Sequence, residues 1–158
     1  MTVGVLDTPF GAITVRTTAL GVARIDFGVH RELLEPSTPG ADSHLAIACE
    51  QLTEYLAGTR QHFSVELDRS GRFGFRGEVL AALELVPFGE VVSYGELARR
   101  SGRPRAARAV GTAMATNPIA VIVPCHRVVR SDGSMGAYGG GSAAKRWLLE
   151  LEGRNPTG

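Results

Sequence analysis

At 158 residues, with 44% hydrophobic and 21% charged residues, the chain is long enough for one good core or two small lobes and too hydrophobic to stay disordered. No run reaches about 18 apolar residues, and Met1-Thr2-Val3-Gly4-Val5-Leu6-Asp7 lacks the basic start and long apolar stretch of a signal peptide, which argues against a helical membrane protein and predicts a cytoplasmic one. The net charge of +1 hides an asymmetry: residues 1–68 carry four Arg against nine acids (net -5), and residues 69–158 carry twelve Arg and one Lys against seven acids (net +6), so only the second half suits a polyanionic partner.

Thr2–Leu6, Ala12–Arg16 and Gly21–Phe27 are short Val/Ile/Thr/Leu-rich segments separated by Thr8-Pro9-Phe10-Gly11 and by Leu20-Gly21, and they predict an antiparallel sheet. His30–Gly40 contains two prolines and a glycine without period and reads as a surface loop. Asp42 or Ser43 should then cap a helix carrying the stripe Leu45, Ala48, Leu52 and Leu56, with Gly58 ending it. Cys49, beside that stripe, reads as a small core residue. His62, Ser64 and Glu66 alternate with Phe63, Val65 and Leu67, the period of a half-buried strand. The first lobe is therefore expected over 1–68, a linker over 69–72 and a second, mostly helical lobe over 73–158.

In the second lobe Val79, Leu80, Leu83 and Val86 predict a helix stopped by Pro87-Phe88-Gly89. Ser93 and Glu96 form the capping-box pattern for a short helix with Leu97 and Ala98 inward, broken at Ser101-Gly102-Arg103. Pro104 suits the first position of the next helix, whose apolar side would be Ala106, Val110, Ala113 and Met114. Two short helices about a glycine turn suggest a helix-turn-helix, and Arg99, Arg100, Arg103, Arg105 and Arg108 repel one another unless an anion offsets them. Ala106, Ala107, Ala109, Ala113 and Ala115 give that second helix small side chains that approach a nucleic acid closely without reading base edges.

The apolar run Ile119–Val123 is expected to be a buried strand or extended stretch leading to Pro124-Cys125-His126-Arg127-Val128. If Pro124 opens a helical turn, unpaired N–H groups would favour the Cys125 thiolate. Adjacent helical side chains diverge by about 100°, so His126 should reach Cys125 through water. The imidazole also needs an orienting carboxylate, for which Asp132, Glu150 and Glu152 stand nearest in sequence, the last two in a final helix over Ser142–Glu152. The loop Ser131–Gly141 holds five glycines and no phosphate-loop pattern.

Taken together, Asn117-Pro118, Pro124-Cys125-His126-Arg127-Val128 and Tyr138-Gly139-Gly140-Gly141 resemble the active-site region of the O6-alkylguanine-DNA alkyltransferases. The likeness runs from about residue 73 to Gly153 and includes Phe88–Tyr94 and Ala106–Gly111, while the first lobe matches in length and strand order.

The resemblance implies an α+β fold: a small N-terminal antiparallel sheet lobe with a helix, ribonuclease H-like, and a C-terminal helical lobe with a helix-turn-helix. It implies that Cys125 takes the alkyl group irreversibly, once per protein, with His126 and a water linking it to Glu152 and Asn117 bracing the turn before the active-site strand. It also implies that Arg108 enters the base stack of a flipped nucleotide from the minor groove, with Ala106, Ala107, Ala109, Arg103 and Arg105 on the DNA.

Tyr94 would donate to the departing guanine, and Tyr138, Gly139, Met135, Gly136 and Val128 would line its pocket. The partner would be double-stranded DNA bearing O6-alkylguanine, with O4-alkylthymine a further substrate. A monomer is expected, located on the nucleoid, with cooperative DNA binding left open and no cofactor.

Three positions depart from the family pattern: Gly139 where Ser is frequent, Ala115 in place of a basic residue, and Arg76–Leu80 in place of a stretch with Gln and Trp. No metal is expected, because His30, His44, Cys49 and His62 include no tight ligand pair. A lesion sensor, a thiol hydrolase and a transcription factor are the competing readings. The first is disfavoured by the presence of Cys125, the second would be marked by turnover, and the third by strong sequence preference.

Overall fold

The computed structural model describes residues 1–30 and 37–157. They form two compact units, one of Met1–Gly71 with Pro118–Ile122 and one of Arg72–Asn117 with Val123–Gly158.

In the first unit, β1 (Thr2–Thr8), β2 (Gly11–Thr18) and β3 (Gly21–Phe27) form an antiparallel sheet in that order, with Leu6 opposite Ile13 and Val15 opposite Ile25. The helix α1 (Pro39–Leu56) lies against it, and Ile13, Val15, Val22, Ile25, Ala48, Leu52 and Tyr55 make the core. This helix starts earlier than Asp42 or Ser43: Thr38 is the N-cap and Pro39 opens the first turn, where proline's fixed φ and missing N–H do no harm. Asp42 instead accepts from the Thr2 and Ser37 hydroxyls. Of the loop expected over His30–Gly40, residues 31–36 lie outside the described residues.

Residues 62–67 alternate in burial as expected but form no strand. Only Leu67 bridges the sheet, at Val22, flanked by Val22 N–H to Glu66 O at 2.9 Å and Asp68 N–H to Val22 O at 2.8 Å. The sequence alternates because one side is buried; ladder pairing additionally needs a free edge of equal length. A second bridge joins Ile25 to Ile119. The exposed edge of β3 is thus covered at two points, which blunts it against pairing with other chains. Cys49 is half-buried rather than a full core residue.

The second unit contains α2 (Gly74–Glu84), β4 (Val92–Ser93), α3 (Tyr94–Arg100), α4 (Ala107–Ala115), β5 (Val128–Val129) and α5 (Ser142–Leu151). Val79, Leu80, Leu83, Leu97, Ala98, Val110 and Ala113 are its buried apolar residues on α2, α3 and α4. Ser93 caps α3 by accepting from Glu96 N–H at 3.0 Å, but Glu96 turns its carboxylate to Arg99 and Arg100. Gly102, at φ +86, ends α3 with a Schellman pair: Gly102 N–H to Arg99 O and Arg103 N–H to Ala98 O, both at 3.0 Å. Pro104 does not open α4. It follows Arg103, whose carbonyl accepts from Ala106 N–H at 3.0 Å, so it occupies the second position of a β-turn, where its φ is equally suitable.

The parallel pair β4–β5 sets Val92 opposite Val128 and Ser93 opposite Val129. Two residues suffice to bring the start of α3, at Tyr94, beside the segment that ends at Arg127. Replacing Ser93 with Ala should lower the unfolding free energy by about 1 kcal/mol, read from urea denaturation; an unchanged midpoint would mean the cap contributes nothing.

Candidate active site around Cys125

The run Ile119–Val123 is not a strand. Beyond the Ile119 bridge it folds into a tight reversal in which Ile122 N–H donates to Ala120 O at 2.9 Å and Val121 is held at φ +71, a conformation that β-branched residues rarely adopt. Its hydrophobicity reflects burial: Ile119, Ala120, Val121 and Val123 are all buried.

Pro124, at φ -84 and ψ 64, centres an inverse γ-turn closed by Cys125 N–H to Val123 O at 2.8 Å. Only a single 3-10 turn, Cys125–Arg127, follows, and Cys125's own N–H is already used. A helix N-terminus is therefore not what acts on the thiol.

Two side chains do most of that, with a smaller influence from the backbone N–H of Cys125 itself. Cys125 is only 7% exposed, and burial pushes its thiol up; the Asn117 amide and the Lys145 ammonium act in the opposite direction, favouring the thiolate. Asn117 Nδ2 also donates to Val123 O at 2.9 Å, fixing the γ-turn. Lys145, fully buried, donates to Val128 O at 2.6 Å and Ala137 O at 3.4 Å, and burial pushes its ammonium down to about 8.

His126 is fully buried, with Nε2 at 2.9 Å from Glu152 Oε2. Glu152 in turn accepts from Arg127 at both oxygens, Nε to Oε1 at 2.8 Å and a terminal nitrogen to Oε2 at 2.9 Å. These partners hold its carboxyl well below the usual carboxylate range despite burial. Burial pushes the His126 imidazole down, so a neutral ring faces an ionised carboxylate. Nε2 then carries the proton and Nδ1 is the free base; Nδ1 is buried with no partner among the described residues.

Glu152 stands at the C-cap of α5, where a second Schellman pair forms: Gly153, at φ +82, donates its N–H to Glu150 O and Arg154 N–H donates to Leu149 O. Of the three carboxylates open on sequence grounds, Glu152 is the one against His126; Glu150 and Asp132 are exposed.

A cavity of about 240 Å³ is lined by Tyr94, Gly111, Met114, Ala115, Cys125, Ala137, Tyr138 and Gly139. Burial pushes the Tyr94 phenol up; Arg130 acts against that and negative charge on Cys125 would add to it. On α4, Ala107, Arg108, Ala109, Thr112 and Ala115 are exposed and Ala106 is half-buried. Arg103 stacks over Phe75 at 4.9 Å, and Arg105 and Arg108 are exposed. Arg99 and Arg100 pair with Glu96, one turn upstream, which offsets part of the cluster's charge within the protein.

The family description "6-O-methylguanine DNA methyltransferase, DNA binding domain" matches residues 74–154, and "6-O-methylguanine DNA methyltransferase, ribonuclease-like domain" matches residues 1–69. The chain belongs to the 6-O-methylguanine DNA methyltransferase family. It is 44% identical over 153 residues to the methylated-DNA–protein-cysteine methyltransferase of Mycobacterium bovis, covering 93% of this chain and 89% of that one. Against the rat protein of the same description the identity is 38% over 179 residues, covering 98% and 82%. The solved structure of Mycobacterium tuberculosis OGT in complex with DNA superposes with a TM-score of 0.85 at 42% identity, covering 96% of this chain and 92% of that one.

Within this methyltransferase fold, three residues expected in the pocket lie outside the cavity lining. Val128 is fully buried in the β4–β5 pair, Met135 is buried, and Gly136 lies against Tyr94, where an added Cβ would stand 3.0 Å from the phenol oxygen. Gly111, Met114, Ala115 and Ala137 take their place. Sequence reasoning also passed over Arg127 and Lys145. A signal existed: Lys145, Leu148, Leu149 and Glu152 recur at i, i+3, i+4 and i+7, which puts two charges on the buried stripe of α5. No group of His, Cys, Asp or Glu among the described residues is arranged to hold a metal, and no described helix is long and apolar enough to cross a membrane.

Glu152→Gln leaves the buried Arg127 without its countercharge and should cost about 3–5 kcal/mol of unfolding free energy at pH 7. The native carboxyl titrates below its unfolded value, so its contribution is complete above about pH 4.3 and is lost as pH falls further. The gap between wild type and variant should therefore close in acid; a gap independent of pH would contradict the charge assignment.

Proposed function

We propose that this chain repairs alkylated DNA by direct reversal, moving an alkyl group from O6 of guanine to Cys125. The observation that carries the reading is the Cys125 thiol in the wall of the cavity, flanked by a thiolate-favouring amide and ammonium and followed by a His126–Glu152 pair. Family membership and the DNA complex of the mycobacterial relative support the same conclusion.

In this scheme the thiol proton passes through water to Nδ1 of His126. Sulfur then attacks the alkyl carbon, the S–C bond forms as the C–O6 bond breaks, and the electron pair stays on guanine, which receives a proton through the Tyr94 hydroxyl. The product thioether is not hydrolysed under mild conditions, so one protein repairs one lesion.

O6 is out of reach of a thiolate inside a stacked duplex, so the nucleotide must be extruded into the cavity, with Arg108 filling the gap and α4 in the minor groove. Ala106, Ala107, Ala109, Arg103 and Arg105 would meet the backbone, and Tyr138 and Gly139 would hold the base. Residues 73–158 would then be the DNA-binding and acceptor domain, residues 1–68 its scaffold and 69–72 the link between them. The protein would act as a monomer on nucleoid DNA.

Incubation with a duplex containing O6-methylguanine should add one methyl group by intact-mass spectrometry, mapping to Cys125 and missing in Cys125→Ser. Binding without an adduct would sink the transfer reading and leave lesion sensing. Arg108→Ala should keep most duplex binding but slow methyl transfer at least tenfold in stopped-flow assays; an unchanged rate would remove Arg108 from the extrusion step.

A further inference from the structure

An imidazole and a guanidinium share one carboxylate at this site, and the transfer scheme uses only the imidazole of His126. We propose that Arg127 is a positioning residue whose closed ion pair with Glu152 keeps His126 an uncharged base. The inference deepens the alkyl-transfer reading and rests on it for its kinetic part alone.

The geometry separates the two duties of Glu152. Its Oε1 is taken by Arg127 Nε at 2.8 Å; its Oε2 is shared between a terminal Arg127 nitrogen and His126 Nε2, each at 2.9 Å. A further bond, from the other terminal nitrogen to Val86 O, fixes the guanidinium from the α2–β4 connection, so the fork cannot swing away. All three side chains are buried, where unbalanced charge is expensive.

If Glu152 faced only His126, the pair would settle its charge by taking a proton onto the imidazole, because a buried anion favours a neighbouring cation. Nδ1 would then already be protonated at neutral pH and could not accept the thiol proton. With Arg127 supplying the countercharge, the carboxylate can orient the ring by accepting from Nε2–H without protonating it.

The charged groups that bear on His126 are Glu152, which favours the imidazolium, and Arg127 and Lys145, which disfavour it. Lys145 is anchored to Val128 O and Ala137 O rather than to the carboxylate, so Arg127 is the cation that can close the pair.

The test is an NMR titration of His126 in the full-length protein labelled in its histidine rings, assigned by His126→Gln and made without DNA. In Arg127→Met, or in Arg127→Gln should Met fail to fold, the His126 midpoint should rise by about one pH unit or more. Arg127→Lys keeps the charge and should stay close to wild type.

The acid limb of the pH profile for methyl transfer should move with the midpoint, and the rates should converge in alkali. An unmoved midpoint in the neutral variants, with transfer slowed by one factor at every pH, would reduce Arg127 to scaffolding and overturn the proposal. So would a Lys variant that shifts as far as Met. Failure of the transfer reading itself would look different: no adduct on wild type, with the titration still interpretable.

Discussion

A carboxylate shut away from water must find its partners inside the protein, and Glu152 finds Arg127 and His126. Much of the second unit is arranged to deliver those groups. The Schellman turn at Gly153 ends α5 one residue before the carboxylate, the γ-turn at Pro124 rotates the chain so that His126 and Arg127 point inward, and Val86 O anchors the far side of the guanidinium. A hydrophobic core would tolerate many rearrangements of these loops. An ion cluster with bonds near 2.9 Å tolerates few, because each displaced partner leaves charge uncompensated.

The same economy of means governs the thiol. Burial alone would make Cys125 inert, and the single 3-10 turn behind it is too short to supply a useful dipole. Asn117 and Lys145 bring opposing influences from two different elements, and each also holds backbone in place: the γ-turn carbonyl in one case, β5 and the glycine-rich loop in the other. Shape and reactivity at this site are maintained by the same atoms, so a substitution at either residue disturbs both.

What could be read from the sequence was whatever local chemistry decides. The three strands, the Ser93 cap, the glycine stops at Gly58 and Gly102, and the inward-facing Leu97 and Ala98 follow from propensity, capping and backbone conformation within a few residues. The two misread strands share one cause. Ile119–Val123 and residues 62–67 have strand-like patterns, yet pairing depends on a distant edge that the pattern cannot report. Pro104 fits a helix start and a turn equally well.

At the site, Cys125, His126 and Asn117 were visible as a motif, whereas Glu152 could be chosen over Glu150 only through family resemblance. Arg127 was read merely as motif text and Lys145 as an ordinary helix residue, because a buried charge is recognised by its partners, and those lie 25 and 17 positions away.

The face that α4 turns to solvent is mostly methyl groups, with one arginine and the Thr112 hydroxyl, which is turned back to Arg108 O. Such a face has almost nothing with which to interrogate a base edge, so undamaged sequence offers it no landmarks. Under the proposed extrusion of the nucleotide, the burden of discrimination would be displaced in time: sites along a duplex would look alike on arrival, and the difference would register only when a nucleotide is presented to the cavity beside Cys125. A protein working in that way would search by trial, testing bases one after another, and its efficiency would be set by how quickly an innocent base is returned to the stack.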